Sequence, residues 1–134
     1  MSIQNEIAED TEAKDVVELE TRVAKPLEQV WGSMVNPSGV EALFGEGVTV
    51  GDKGDPWRAA DGTSGVTRSY HAGEQIRLSW HADDDAPATL VDVRFRADGD
   101  STIVSLRHEN LPDDADREAL KARWAGNLER LAAL

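Results

Sequence analysis

Three histidines, His71, His81 and His108, are the side chains of this chain best suited to acid–base or metal chemistry. The first two stand ten positions apart on segments that look like adjacent strands, and three aspartates at 83–85 follow them. Imidazole and carboxylate groups both bind divalent metals, but this spacing matches no established ligand motif. We therefore interpret His71 and His81 as solvated histidines beside an acidic loop, and we predict no metal site.

His108 has the same strand parity as Val104 and Leu106, which predicts that its side chain points into the interior near a strand end. An interior histidine can bind a ligand carbonyl or transfer a proton. The more common alternative is a histidine that is hydrogen-bonded at the margin of the core. No acid or base can be paired with it from the sequence, because the carboxylates fall in loops or on polar strand faces. We therefore predict no catalytic residue.

The chain lacks the short motifs of the common enzyme and cofactor classes. It has no Gly-x-Ser-x-Gly nucleophile elbow, no phosphate-binding loop and no calcium loop. It has no cysteine, which excludes disulfides, thiolate metal sites and cysteine nucleophiles. We therefore predict no cofactor.

Composition and charge are those of a small acidic globular protein. The 134 residues suit one domain, and 40% apolar residues with four tryptophans can form a substantial core. The 14 basic and 26 acidic residues give a net charge of −12, which disfavours nucleic acid and anionic membranes as partners. No apolar run is long enough to span a bilayer, and no signal peptide is evident. We expect a cytoplasmic monomer with no membrane insertion.

The N-terminal part of the chain changes character after residue 14. Residues 1–14 are polar and acidic, and we interpret them as a flexible tail that precedes a single domain at 15–134. Period-two alternation at 15–24 predicts the first strand. Pro26 suits the first position of a short helix, and Gly45 suits the C-cap of a second short helix that follows.

The rest of the chain reads as strands followed by one long helix. Strands are predicted at 48–50, 57–60, 66–71, 75–81, 89–96 and 102–108. Leu120, Trp124, Leu128 and Leu131 recur at helical spacing and predict one apolar stripe on a terminal helix. We therefore predict an α+β fold, in which a curved antiparallel sheet of six to seven strands packs against the C-terminal helix.

Several segments of this order carry a family resemblance. They are 24–31 (AKPLEQVW), 36–45, 65–66, 78–80, 101–108 and the terminal Trp124, Leu128 and Leu131. These segments resemble the START-like, or SRPBCC, helix-grip superfamily, and within it the domain of activators of heat-shock-protein-90 ATPase. The resemblance covers 15–134. It implies a helix-grip fold with two short helices after the first strand and a cavity between the sheet and the terminal helix.

The resemblance implies a domain that binds a small hydrophobic molecule without catalysing a reaction. The residues expected to line its cavity are Trp31, Phe44, Trp57, Tyr70, Trp80, Val93, Phe95, Leu106, His108, Trp124 and Leu128. In the alternative interpretation the same residues form an ordinary core. Arg68 and Tyr70 share a face by parity, so either both point inward, where they could orient a polar head group, or both lie on the surface.

Two other functions stay open. A protein-interaction module that acts on a chaperone is implied by the same family, and an acidic surface is compatible with a basic patch on such a partner. A cyclase- or hydrolase-type enzyme, as in some members of the superfamily, is the third. It would require a convergent histidine, tyrosine or arginine in the pocket, with His108 as the first candidate.

Overall fold

The computed structural model describes residues 15–134, so the predicted tail at 1–14 lies outside the described residues. Within them the chain forms six strands and three helices. In chain order these are β1 (Val17–Val23), α1 (Leu27–Met34), α2 (Pro37–Phe44), β2 (Pro56–Arg58), β3 (Ser64–His71), β4 (Gln75–Trp80), β5 (Thr89–Asp98), β6 (Ser101–Glu109) and α3 (Arg117–Ala132). No helix in this part of the chain is long and apolar enough to cross a membrane.

The six strands form one antiparallel sheet in the order β1-β6-β5-β4-β3-β2. Strands β2 to β6 follow one another across the sheet, and β1 pairs with β6, so the first and last strands are neighbours. The two edges are therefore β1 and β2, and β2 is only three residues long and begins with Pro56. This topology confirms the predicted α+β fold, with a strand count of six.

The helices cover the inner face of the sheet and enclose the hydrophobic core. The central strands supply Leu78, Val93 and Leu106, each 0% exposed. Helix α3 lies against α2 and β1, and it contributes Trp124 from the stripe predicted for it. Nδ2 of the buried Asn127 also donates to a carbonyl oxygen of α2 at 2.9 Å. The terminal helix is thus held by apolar packing and by a polar contact to its neighbour.

Two differences from the predicted elements lie beside the short helices. Residues 48–50, predicted as a strand, form an irregular connection. The positive φ angles of Gly45 (124°) and Gly47 (88°) turn the backbone there, and Val48 packs in the core at 1% exposure. A short apolar run does not distinguish a strand from a buried turn. Pro26 is the N-cap of α1, one residue before the predicted position, while Gly45 is the predicted C-cap of α2.

A bulge in β3 separates Arg68 from Tyr70. The pairing of β3 with β4 shifts in register between Thr67 and Ser69. The extra residue interrupts the alternation, so Thr67 is buried, Arg68 is exposed and Tyr70 packs half-buried against Trp31. The expectation that Arg68 and Tyr70 share one face is therefore wrong.

The outer face of the sheet carries a row of alternating charges. Glu18, Arg107, Asp92 and Arg77 are successive cross-strand neighbours on β1, β6, β5 and β4. Hydrogen bonds to Glu109 and Glu18 raise the pKa of the Arg107 guanidinium. Opposite charges that face one another across strands stabilise their pairing, so this row helps to fix the register of four strands.

Helices α1 and α2 approach so closely at Gly39 that a side chain there has no room. A Cβ atom added at Gly39 would lie 2.0 Å from the carbonyl oxygen of Ser33. A Cβ atom added at Gly32, in the neighbouring helix α1, would meet nothing within 4 Å. The two glycines therefore offer a matched pair for testing the helix–helix contact.

We predict that Gly39→Ala lowers the free energy of unfolding by about 1–3 kcal/mol, because the two helices must separate to admit the methyl group. Gly32→Ala should raise it by about 0.5–1 kcal/mol, because alanine favours a helix more than glycine does. Urea unfolding followed by circular dichroism measures both changes. Equal effects of the two substitutions would contradict the close approach.

Candidate functional site

His108 lies at the centre of a buried chain of hydrogen bonds at one end of the sheet. It is 0% exposed, so its predicted inward orientation is confirmed. Its Nδ1 lies 3.1 Å from Nε1 of Trp124 on α3, and its Nε2 lies 2.7 Å from Oγ1 of Thr89 on β5. Oγ1 of Thr89 is in turn 2.7 Å from the carbonyl oxygen of Trp80 on β4. The chain therefore links one helix to three adjacent strands.

The indole of Trp124 determines the direction of every hydrogen bond in this chain. An indole N–H can only donate, so Nδ1 of His108 accepts and carries no hydrogen. The neutral ring therefore carries its hydrogen on Nε2 and donates it to Oγ1 of Thr89. The Thr89 hydroxyl then donates to the carbonyl oxygen of Trp80. Both ring nitrogens of His108 are thus satisfied in a single tautomer.

The surroundings of His108 keep its ring neutral. Burial lowers the pKa of His108 from 6.5 to about 4, and the positive charge of Arg123 contributes to the decrease. A protonated ring would also turn an Nδ1–H toward the N–H of Trp124, which replaces a hydrogen bond by two facing donors. Proton transfer at His108 would therefore break its link to α3, which favours a structural role for this histidine.

Arg123 connects the buried chain to the surface. Its guanidinium carbon lies 5.3 Å from the ring centroid of Trp80 and 5.8 Å from that of Trp124. Its Nη2 lies 2.6 Å from Oδ2 of Asp61. Burial alone would raise the pKa of Asp61, but hydrogen bonds from Arg123 and Thr63 outweigh burial and lower it to about 2. This ion pair holds the guanidinium against the two indoles.

An apolar groove of about 320 Å³ opens beside this cluster, between α3 and the loop that joins β4 to β5. Nine of its twelve lining residues are apolar. They are Trp80, Ala82, Ala86, Pro87, Leu111, Pro112, Ala115, Ala119 and Leu120. The three polar lining residues are Thr89, Asp116 and Arg123, and each already has a partner. Thr89 is hydrogen-bonded to His108, and Arg123 forms an ion pair with Asp61. Asp116 is the N-cap of α3 and accepts a hydrogen bond from the N–H of Ala119. The groove therefore combines an apolar wall with a few fixed polar groups.

Two buried donors beside the groove have no hydrogen-bond partner within residues 15–134. They are Nε1 of Trp80 and Nε of Arg123. Trp80 is 5% exposed, so bulk water does not readily replace the missing partner. A buried donor without a partner costs about 1–3 kcal/mol.

The eleven residues predicted to line a cavity fall into three groups. Trp80 lines the apolar groove, and His108 and Trp124 lie behind it in the hydrogen-bonded chain. The opposite end of the sheet holds an aromatic cluster of Trp31, Tyr70 and Phe95. The other residues pack in the hydrophobic core, namely Phe44, Trp57, Val93, Leu106 and Leu128. The sequence therefore named Trp80, one of the twelve lining residues, and two residues behind it, together with residues that lie elsewhere.

His71 and His81 lie too far apart to bind one metal ion. His71 pairs with Gln75 at the closed end of the β3–β4 hairpin. His81 follows the other end of β4, six positions beyond Gln75, which corresponds to about 20 Å of extended chain. Nδ1 of His81 lies 2.9 Å from the carbonyl oxygen of Ala86. Among the described residues there is no group of three or more side chains that could hold a metal ion.

The sequence interpretation did not identify Thr89, Asp61 and Arg123 as parts of this site. Thr89 carried a usable signal, because a polar residue at the inward parity of Val91 calls for a buried partner. Asp61 and Arg123 are 62 positions apart, and no local pattern connects them. Their pairing depends on how α3 lies across the sheet.

We predict that acid destabilises this protein through His108. The unfolded chain binds a proton at His108 near pH 6.5, whereas the folded protein does so only near pH 4, so the unfolded state gains protons first as the pH falls. Between pH 7 and pH 5 the free energy of unfolding should fall by about 2 kcal/mol more in the native protein than in His108→Gln. Urea unfolding at the two pH values measures this difference.

A second measurement needs no substitution. Nitrogen chemical shifts of the His108 ring should show hydrogen on Nε2 alone at pH 7 and no titration above about pH 5. A midpoint near pH 6.5 would contradict the buried hydrogen-bonded chain.

Comparisons with known proteins agree with this architecture. The family described as "Activator of Hsp90 ATPase homolog 1-like protein" (AHSA1) matches residues 24–134 of the chain. No curated protein sequence matches the chain.

Solved structures with similar folds include three that share 15–21% sequence identity with this chain. DynU16, from the dynemicin biosynthetic locus, has a TM-score of 0.76 at 21% identity, over 89% of this chain but only 46% of DynU16. An HSP90 activator from Plasmodium falciparum has a TM-score of 0.72 at 17% identity, over 89% of this chain and 94% of the other. The Aha1 dimer from Colwellia psychrerythraea has a TM-score of 0.70 at 15% identity, over 87% and 92%. The fold and the family match together identify the chain as a member of the AHSA1 family, with a helix-grip fold of the SRPBCC type.

Proposed function

We propose that this domain binds a small apolar molecule in the groove between α3 and the β4–β5 loop. The observation that carries the proposal is an apolar groove of about 320 Å³ with the buried Trp80 in its wall. Binding sites for small molecules are typically concave, mostly apolar and about 300–1,000 Å³ in volume. The groove lies at the lower end of this range, which suits a small ligand.

The wall of the groove is rigid. The ring of Trp80 meets His108 edge-to-face at a centroid distance of 4.8 Å, and it contacts Trp124 at 6.1 Å. Its carbonyl oxygen accepts a hydrogen bond from buried Thr89. A side chain that is fixed in this way loses little conformational entropy when a ligand binds, which favours affinity.

Two alanines of α3 provide a matched test of the site. Ala119 and Ala122 are both exposed, but only Ala119 is part of the wall of the apolar groove. A phenylalanine at 119 would fill the groove, whereas one at 122 would extend from another side of the helix. Because both positions are at the surface, neither substitution should disturb the core.

We predict that N-phenyl-1-naphthylamine, a neutral dye that fluoresces in apolar surroundings, binds the native protein saturably. Ala119→Phe should weaken its binding at least about tenfold, which corresponds to about 1.4 kcal/mol, and Ala122→Phe should leave it unchanged. Fluorescence titration gives the dissociation constants. If the native protein fails to bind the dye, or if both variants bind it as the native protein does, the groove is not the binding site.

A second candidate function follows from the family. The family is described as "Activator of Hsp90 ATPase homolog 1-like protein", and an HSP90 activator from Plasmodium falciparum shares this fold. In this alternative the domain is an interaction module that stimulates a chaperone. This alternative does not require the apolar groove, so it can be tested independently of ligand binding.

The test of this alternative is the ATPase rate of Hsp90 from the same organism, with and without the protein. Stimulation by both the native protein and Ala119→Phe, decreasing at high salt, would support an interaction through surface charge. An unchanged ATPase rate over a range of protein concentrations would count against it.

A further inference from the structure

Two acidic segments border the apolar groove, and we call them its mouth. Ala82 and Ala86 line the groove, and the three residues between them, at 83–85, are exposed aspartates. Pro112 and Ala115 line it from the other side, and the two residues between them, at 113–114, are also exposed aspartates. In both segments the exposed carboxylates are therefore borne by residues directly adjacent to residues that line the groove.

Few of these carboxylates are neutralised by a neighbouring cation. Arg58 pairs with Asp84 at 3.2 Å. No other ion pair among the described residues involves the aspartates at 83–85 or 113–114. Four carboxylates at the mouth therefore keep their charge, namely Asp83, Asp85, Asp113 and Asp114.

The positive charges in the lining of the groove are already matched. Arg123 in the wall pairs with Asp61. The positive end of the α3 dipole, equivalent to about half a unit charge, is capped by the carboxylate of Asp116. The wall is therefore close to neutral, and the opening is negative.

We propose that the molecule held in this groove carries a positive charge: an apolar body that packs against Trp80, Leu111 and Leu120, and an ammonium group that remains at the acidic mouth. This inference rests on the proposed function. It names the chemical class of ligand, because a cation is attracted to the four carboxylates while a fatty-acid carboxylate is repelled by them. At low ionic strength the summed interactions correspond to a preference of about tenfold or more for the cation over an anion of the same chain length.

The experiment is the displacement of N-phenyl-1-naphthylamine by three amphiphiles with ten-carbon chains, the two ionic ones kept below their micelle concentrations and the neutral one below its solubility limit. The cation is decyltrimethylammonium, the neutral compound is decanol and the anion is decanoate. In the native protein at low salt we expect half-displacement by the cation at a concentration at least about tenfold lower than by the anion, with the neutral compound between them. In 0.5 M sodium chloride this difference should shrink to about threefold or less.

Two charge-neutralised variants separate the mouth of the groove from the net charge of the whole protein. The mouth variant combines Asp83→Asn, Asp85→Asn, Asp113→Asn and Asp114→Asn. The control variant removes four exposed charges far from the groove, by Glu28→Gln, Glu74→Gln, Asp100→Asn and Glu129→Gln. Both variants lower the net negative charge equally. The mouth variant should lose most of the preference for the cation, and the control variant should keep it.

The outcomes distinguish this inference from the proposed function. One outcome overturns the inference but leaves the groove as a binding site. In it, Ala119→Phe weakens binding of the dye, but the native protein shows no preference for the cation, or both charge variants lose that preference equally. Absence of dye binding, or binding that Ala119→Phe does not weaken, overturns both. If the native protein prefers the cation and only the mouth variant loses this preference, both the inference and the proposed function are supported.

Discussion

The hydrogen bond from the indole of Trp124 to Nδ1 of His108 is the contact on which this end of the molecule depends. It joins the C-terminal helix to β6, and it leaves the imidazole only one way to use its other nitrogen. The hydrogen on that nitrogen reaches Thr89 on β5, and the threonine hydroxyl reaches β4. A single indole N–H therefore determines which group donates and which accepts in each hydrogen bond across three strands. Buried polar chains of this kind contribute to a unique structure only when every member is satisfied, which is the case here for His108 and Thr89.

The same cluster explains why a groove exists beside it. Trp80 is fixed by its contacts with His108 and Trp124, so it cannot move to fill the space between α3 and the β4–β5 loop. The side chains that face this space from the loop and from α3 include several alanines, which end at Cβ. Trp80 is thus held too rigidly to move into the space, and the alanine side chains opposite are too short to fill it. Arg123 reaches across from α3, but its ion pair with Asp61 holds the guanidinium against the indoles.

Much of the architecture could be predicted from residue patterns, and the reasons are local. The stripe through Trp124 and Leu128 predicted α3, and strand alternation predicted that His108 points inward. The failures have equally definite causes. A bulge after Thr67 interrupts the alternation of side chains, so Arg68 and Tyr70 do not lie on the same face of the sheet. The groove itself left no signal, because it is formed by small residues from segments that are distant in the sequence and that meet only when α3 docks. For the same reason the partner of Arg123 could not be named.

The edges of the sheet have a consequence for how these molecules behave when they are crowded together. An open strand edge exposes backbone N–H and C=O groups that can recruit a strand from another molecule. Here one edge is the three-residue β2, whose proline lacks an N–H. The other is β1, where Glu18 and Glu20 are exposed and would face each other in an antiparallel copy aligned about Leu19. Both borders therefore resist the intermolecular strand pairing that leads to fibrils, so the sheet can stay open at its sides without becoming a template for aggregation.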